Sequence, residues 1–61
     1  MKANKITNPA GQSKELHNWE LYEMKRSFER TTTYITWKGN RMGANVDDFL
    51  LESGYKIERL I

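Results

Sequence analysis

Cysteine is absent from the sequence, and histidine occurs once, at His17. A disulfide framework and a thiolate metal site are therefore excluded. Other metal sites would need carboxylate ligands, and no spacing typical of an EF-hand calcium loop occurs. We therefore expect no metal and no cofactor.

Long apolar runs are also lacking. No stretch approaches the roughly 18 apolar residues that a membrane span requires. Residues 1–5 are followed by polar residues rather than by the apolar segment of a signal peptide. The 61 residues fit one small domain, and we expect a cytoplasmic location without membrane contact.

The excess of charge of one sign is small, since 10 basic residues stand against 8 acidic residues, for a net charge of +2. Lys2, Lys5 and Lys14 lie near the start of the chain with no acidic residue among them, so the remainder of the chain is slightly acidic overall. This distribution does not favour general binding of polyanions. A basic segment remains at residues 24–41.

Catalytic chemistry has little support in the sequence. The hydroxyl groups nearest to His17 are those of Thr7 and Ser13, in a segment that we expect to be mobile and unable to hold a nucleophile within hydrogen-bond reach of its base. Asp47 and Asp48 are adjacent, so on a helix they point about 100° apart, and the helix dipole already explains acidic residues in a first turn. The glycine-containing loop before them lacks the Gly-Lys-Ser/Thr of a phosphate-binding loop. We expect no catalytic residues and no enzymatic activity.

Residues 1–14 have a single large aliphatic side chain besides the initiator methionine, that of Ile6. Burial of so little apolar surface does not offset the cost of ordering the backbone, about 1–2 kcal/mol per residue. We therefore predict a mobile N-terminal arm at residues 1–14 and a single small α+β domain at residues 15–61.

Three segments of that domain have clear patterns. Residues 30–38 are rich in Thr, Ile and aromatic side chains, which favours a strand. Residues 45–54 predict a short helix, with Asn45 as its N-cap and Gly54 just after its end. Residues 55–61 alternate apolar and charged side chains at first and predict a terminal strand.

Residues 16–29 fit two patterns. A helix would align His17, Leu21, Met24 and Phe28, whereas a strand would place Trp19 and Leu21 on one face. Composition slightly favours the helix. We favour the strand because the Thr-rich strand needs a neighbour, and a sequential hairpin would supply one.

The predicted fold is thus a small two-layer α+β domain of β-β-α-β order, in which one short helix covers one face of a three-stranded sheet. This order resembles that of many small accessory proteins of phages and mobile elements, a resemblance of arrangement that carries no residue across. The predicted core consists of eight apolar residues: Trp19, Leu21, Ile35, Trp37, Val46, Phe49, Leu50 and Ile57.

Because one helix cannot cover both faces of a sheet, aromatic side chains would remain on the open face. The first hypothesis is a non-enzymatic protein-binding module, of a regulatory, inhibitor or adaptor type, that binds a protein partner or a second copy of itself through the open face or an edge strand. Its predicted partner-binding residues are Tyr22, Met24, Arg26, Arg30 and Tyr34.

The alternative hypothesis is a small nucleic-acid-binding protein, in which the basic hairpin contacts phosphates and an aromatic ring stacks on a base. No motif of a known RNA-binding family is present. Its predicted contact residues are Lys25, Arg26, Arg30, Lys38 and Arg41.

Overall fold

The structure is a computed structural model and describes residues 2–61; Met1, the first residue of the predicted arm, lies outside the described residues. The chain forms three strands and three helices in the order β-β-α-α-α-β. The elements are β1 (Asn4–Thr7), β2 (Ser13–Leu16), α1 (Asn18–Glu29), α2 (Thr32–Gly39), α3 (Val46–Glu52) and β3 (Lys56–Arg59).

The three strands form one antiparallel sheet in the order β2-β1-β3. Ile6 in the central strand lies opposite Lys14 on one side and Ile57 on the other. The predicted α+β class and three-stranded sheet are confirmed, whereas the β-β-α-β order is wrong because three helices are present in place of one. The resemblance of arrangement to small phage proteins loses its basis with that order.

A tight hairpin turn makes β1 and β2 possible. The side-chain Oδ1 of Asn8 accepts hydrogen bonds from the backbone N–H groups of Ala10 and Gln12, at 3.0 and 2.9 Å. Gly11 ends the turn with a φ of +88°, as expected for a three-residue hairpin loop. Residues 4–14 of the segment that we expected to be an arm thus belong to the β1–β2 hairpin, because pairing on both sides of β1 supplies the contacts that composition did not indicate.

Residues 18–29 form helix α1, so the strand interpretation of residues 16–29 is wrong and the helical alternative is correct. The backbone N–H of His17 donates a hydrogen bond to the Glu20 carboxylate at 2.9 Å, which caps the helix N-terminus. Leu21, Met24 and Phe28 are half-buried along one side. The sheet does not need a strand from this segment, since its central strand β1 already pairs with β2 and β3.

The predicted strand at residues 30–38 is also wrong, because Thr32–Gly39 is helix α2. The Thr31 hydroxyl accepts a hydrogen bond from the Tyr34 backbone N–H at 3.2 Å and starts the helix. Tyr34 and Trp37, one turn apart, both pack edge-on against Phe49, with ring centroids 5.3 Å away in each pair. Burial of these rings outweighs the strand propensity of the threonines.

The predicted helix near residues 45–54 and the terminal strand are confirmed as α3 and β3. Asn45 Oδ1 accepts a hydrogen bond from the Asp48 N–H, and the Asp48 carboxylate accepts one from the Asn45 N–H, each at 3.2 Å. Gly54 follows the helix with a φ of +96°. None of the helices within residues 2–61 has the length and apolarity needed to cross a bilayer.

The main core lies among the helices and consists of Tyr34, Val46, Phe49 and Leu50, with Trp37 and Ile57 partly buried against it. Of the predicted core residues, Trp19 and Ile35 are instead 67% and 59% exposed. They were assigned to strand faces that do not exist. A smaller set of buried residues, Ala3, Ile6 and Leu16, lies at the sheet.

The molecule is elongated, with extents of 37 × 23 × 18 Å. Its Cα radius of gyration is 12.0 Å, whereas a compact domain of this length has about 10.5 Å. The larger radius of gyration reflects this elongated shape.

Candidate functional site

The sheet face turned away from the helices is polar. Lys5 lies there between Glu15 and Glu58 in the two flanking strands, and the next row is Ser13, Thr7 and Lys56. The Thr7 and Ser13 hydroxyl groups are hydrogen-bonded at 2.9 Å. These two rows carry no aromatic side chain, so the predicted aromatic open face is not present on the strands of residues 2–61.

None of the five predicted partner-binding residues lies on a strand. Tyr22 and Arg26 lie on the exposed side of α1, where the Arg26 guanidinium is 5.7 Å from the centroid of the Tyr22 ring. Arg30 is exposed and follows the last residue of this helix. Met24 is half-buried on the other side of this helix. Tyr34 is only 4% exposed and belongs to the core. The structure therefore does not bring the five residues together on one surface.

The cations of the nucleic-acid hypothesis are spread over α1 and the end of α2. Lys25 forms an ion pair with Asp47 at 2.8 Å. Arg41 donates a hydrogen bond to the Trp37 carbonyl at 2.9 Å and lies 3.7 Å from the Glu52 carboxylate. Two of the five residues that were predicted to contact phosphates, Lys25 and Arg41, thus already lie beside carboxylates of the protein.

The polar residues considered for catalysis have structural roles. Asp48 caps α3 through Asn45, and Asp47 pairs with Lys25. The hydrogen bond from the His17 backbone N–H lowers the pKa of Glu20 below the ordinary value of a glutamate. Within residues 2–61, no three side chains of the metal-binding types cluster together.

A concave feature with a mainly apolar lining lies between β2 and α1. The helix begins two residues after β2 ends and returns beneath the strand. Trp19 lies near Leu16 at one end of the resulting groove, and Phe28 lies near Gln12 and Ser13 at the other. The direct connection of strand to helix therefore builds both walls from one continuous segment.

We call this feature the β2 groove. It consists of two adjoining parts of about 500 and 300 Å³, which share Ile6, Lys14 and Met24. Its apolar lining consists of Ile6, Leu16, Trp19, Met24, Phe28 and Tyr55. Both parts are open to solvent, and both are lined by residues of β2.

The outer edge of β2 has unpaired backbone groups. The Asn8 N–H donates to the Gln12 carbonyl at 2.9 Å, and hydrogen-bonded pairs alternate along an antiparallel ladder. Lys14 and Leu16 therefore bond to β1, whereas the N–H and C=O groups of Ser13 and Glu15 point outward. No strand within the described part of the chain lies on that side.

Trp19 stands at one end of the β2 groove with most of its side chain in solvent. Large aromatic side chains are more often buried, and they are enriched where proteins contact one another. The sequence patterns did not indicate this exposed position of Trp19, since they placed the residue in the core. Sequence reasoning also missed β2, although Asn8-Pro9-Ala10-Gly11 is a recognisable turn sequence between two short polar-apolar segments.

No protein-family model, curated protein or solved structure matches this chain.

Proposed function

We propose that the protein is a non-enzymatic protein-binding module that takes an extended segment of a partner protein into the β2 groove as an additional strand on β2. The observation that carries this proposal is an edge strand with free backbone groups directly above an apolar groove. Addition of a strand to a sheet edge is an established mode of peptide recognition, in which backbone hydrogen bonds give affinity and side-chain pockets give specificity.

The backbone of β2 supplies four groups to such a segment, the N–H and C=O of Ser13 and those of Glu15. These groups are fixed by the ladder with β1, so little ordering of the protein is needed on binding. A partner strand pairing with them would extend the sheet from three strands to four.

The two faces of the added strand meet different surroundings. Every second side chain would enter the β2 groove, which favours apolar residues at those positions. On the polar face, the residue beside Glu15 would lie next to a carboxylate, which favours lysine or arginine there. We therefore expect the bound segment to alternate apolar residues with polar ones and to carry a basic residue opposite Glu15.

Selection from a displayed library of short linear peptides tests the preference, and titration of a selected synthetic peptide tests the site. Trp19→Ala is expected to weaken peptide binding by about tenfold or more, as for an aromatic hot spot. Ile35→Ala is the matched control, because Ile35 is similarly exposed but lies on α2, outside the groove. Equal affinities of the two variants would contradict the proposed site.

A second pair of variants isolates the backbone contact. Glu15→Pro removes an N–H that points outward, and proline is tolerated at such positions of edge strands. Glu15→Ala removes the same carboxylate but keeps the N–H. Peptide affinity should therefore fall further for Glu15→Pro than for Glu15→Ala, while circular dichroism checks that both variants fold.

The nucleic-acid hypothesis makes a different prediction for the same protein. Binding through phosphate contacts would weaken steeply with salt concentration, whereas binding in an apolar groove would respond little. Titration with a mixed-sequence single-stranded oligonucleotide at low and moderate salt distinguishes the two. Strong binding that Trp19→Ala leaves unchanged and salt abolishes would favour the nucleic-acid function.

A further inference from the structure

The opposite edge of the sheet, β3, has its own apolar surface. Within residues 2–61, no strand pairs with its outer side. A cleft of about 300 Å³ lies beside it, lined by Leu50, Leu51, Tyr55, Ile57 and Asp47. Leu51 is 71% exposed. This edge is therefore a second place where a strand could add, separate from the β2 groove.

The hydrogen-bond pattern identifies the free groups of β3. The Leu60 N–H donates to the Ala3 carbonyl at 2.8 Å, so by alternation Glu58 and Lys56 also bond to β1. The N–H and C=O groups of Ile57 and Arg59 then point outward. The Tyr55 N–H is already bonded to the Leu50 carbonyl at 2.9 Å, which leaves the Tyr55 carbonyl on the outer side.

We propose that this edge binds a second copy of the chain, so that β3 pairs with β3 in an antiparallel, two-fold symmetric dimer centred on Ile57. A two-fold axis perpendicular to the sheet keeps the helices of both copies on the same side. In such a pair of strands, each side chain of one copy lies opposite a side chain of the other copy on the same face of the sheet. The two-fold axis therefore passes through a residue and not between two residues.

Charge selects the register. With the axis at Ile57, the two Ile57 side chains are opposite each other, and Lys56 of each copy lies opposite Glu58 of the other. Both ion pairs form on the exposed polar face, where Lys56 and Glu58 of one chain are already 3.7 Å apart. A shift of the centre to Glu58 would place like charges opposite each other, which destabilises a strand pair.

The hydrogen bonds fit the same register. The outward groups of Ile57 pair with those of Ile57 in the second copy, and the Arg59 N–H faces the free Tyr55 carbonyl. On the helix side, Leu51 of each copy lies beside the shared strands and covers the central isoleucine pair. The dimer would thus extend the sheet to six strands and bury apolar surface that is exposed in a single chain.

The β2 edge lacks this self-complementarity. An antiparallel pair of β2 strands centred on Lys14 places two lysines opposite each other, and one centred on Glu15 places two glutamates opposite each other. Charge therefore favours a second copy at β3, where two ion pairs form, over one at β2, where none of these registers forms an ion pair. The dimer does not depend on peptide binding, and it leaves both β2 grooves open at the two ends of the sheet.

Sedimentation equilibrium over a concentration series tests the dimer on the full chain. Lys56→Glu and Glu58→Lys each create two like-charge pairs across the axis, and each variant is expected to dimerise at least tenfold more weakly than the parent. An equal mixture of the two variants restores both ion pairs, so it should associate as mixed dimers. The double variant K56E/E58K should likewise regain self-association.

Rescue by mixing distinguishes a weakened dimer from a variant that fails to fold. Two unfolded variants would not regain association when they are mixed. A parent chain that remains monomeric up to roughly millimolar concentration overturns the dimer, as does a mixture that associates no better than its components. Peptide affinity of Lys56→Glu is measured in parallel, since its retention would show that the groove function stands whether or not the dimer does.

Discussion

Tyr34 carries the one buried side-chain oxygen or nitrogen that lacks a hydrogen-bond partner among residues 2–61. Its ring is well placed, stacked 6.0 Å from Trp37 and edge-on to Phe49 at 5.3 Å. The aromatic ring therefore stabilises the core, whereas the hydroxyl group loses hydrogen bonds to water on folding and regains none. The two parts of one side chain act in opposite directions on the free energy of unfolding.

Tyr34→Phe should therefore raise the stability of the protein, by about 1 kcal/mol, because it removes the unpaired hydroxyl and keeps the ring. Urea unfolding followed by circular dichroism measures the change. Tyr22→Phe is the control, since the Tyr22 side chain is 58% exposed and its hydroxyl can bond to water. A clear loss of stability in Tyr34→Phe would indicate that the hydroxyl has a partner in solution, such as a bound water.

At the scale of single elements, the start of α1 has a stabilising contact that depends on pH. The Glu20 carboxylate accepts the hydrogen bond from the His17 backbone N–H more strongly when it is ionised, and this hydrogen bond lowers the pKa of Glu20. A lowered pKa in the folded state means that the stabilisation is present above the ordinary titration range of glutamate. It is lost as the pH falls through that range and below it.

Glu20→Gln should accordingly destabilise the protein slightly at neutral pH and have no effect in acid below the titration of glutamate. Unfolding midpoints of parent and variant, compared at the two pH values, measure this. Glu23→Gln, on the same helix but outside the cap, should show a smaller difference at neutral pH. A difference between parent and Glu20→Gln that persisted unchanged in acid would contradict the capping role.

The helices also differ in how well the sequence patterns predict them. The signals at α3 are local and agree with one another, with Asn45 at the start and Gly54 after the end, so this helix was predictable. In residues 31–37 the β-branched composition pointed to a strand, but packing of Tyr34 and Trp37 on Phe49 decided for a helix. That packing joins residues distant in sequence, and a pattern within one segment does not contain it.

The β2 groove was unpredictable for a related reason. Its walls come from β2, in a segment whose composition resembles a linker, and from α1, whose period was ambiguous. The turn residues Asn8 and Gly11 were the available signal for a hairpin. A hairpin of such short strands is stable here because β1 also pairs with β3, which the local sequence does not show. Of the predicted partner-binding residues, Met24 lines the groove, but it was chosen for an open face that is absent.

At the scale of the whole molecule, a close contact joins the turn before β3 to the turn between β1 and β2. Gly54, between α3 and β3, lies against Pro9 in the β1–β2 turn, and a Cβ atom on Gly54 would come within 3.2 Å of the proline side chain. Its φ of +96° is also one that other residues rarely adopt. Close approach and backbone conformation both require glycine here.

Gly54→Ala should therefore lower the stability by about 1–3 kcal/mol. Gly11→Ala is the matched control, because Gly11 has a similar φ of +88° but a Cβ atom added there would have no neighbour within 4 Å. Thermal unfolding of both variants separates the conformational cost, which they share, from the contact with Pro9, which only Gly54 makes. Equal melting temperatures of the two variants would mean that the β1–β2 turn shifts away from the added Cβ atom at residue 54 without a loss of stability.

The position of β1 also has a consequence for how the chain folds during synthesis. β1 is the central strand, yet one of its two neighbours, β3, lies at the far end of the sequence, with Asn4 opposite Arg59. The hairpin and α1 can form as soon as they leave the ribosome, because their contacts are local. The sheet cannot close until Lys56–Arg59 has emerged. During that interval the side of β1 that later pairs with β3 is exposed, and a chaperone or another nascent chain can bind there.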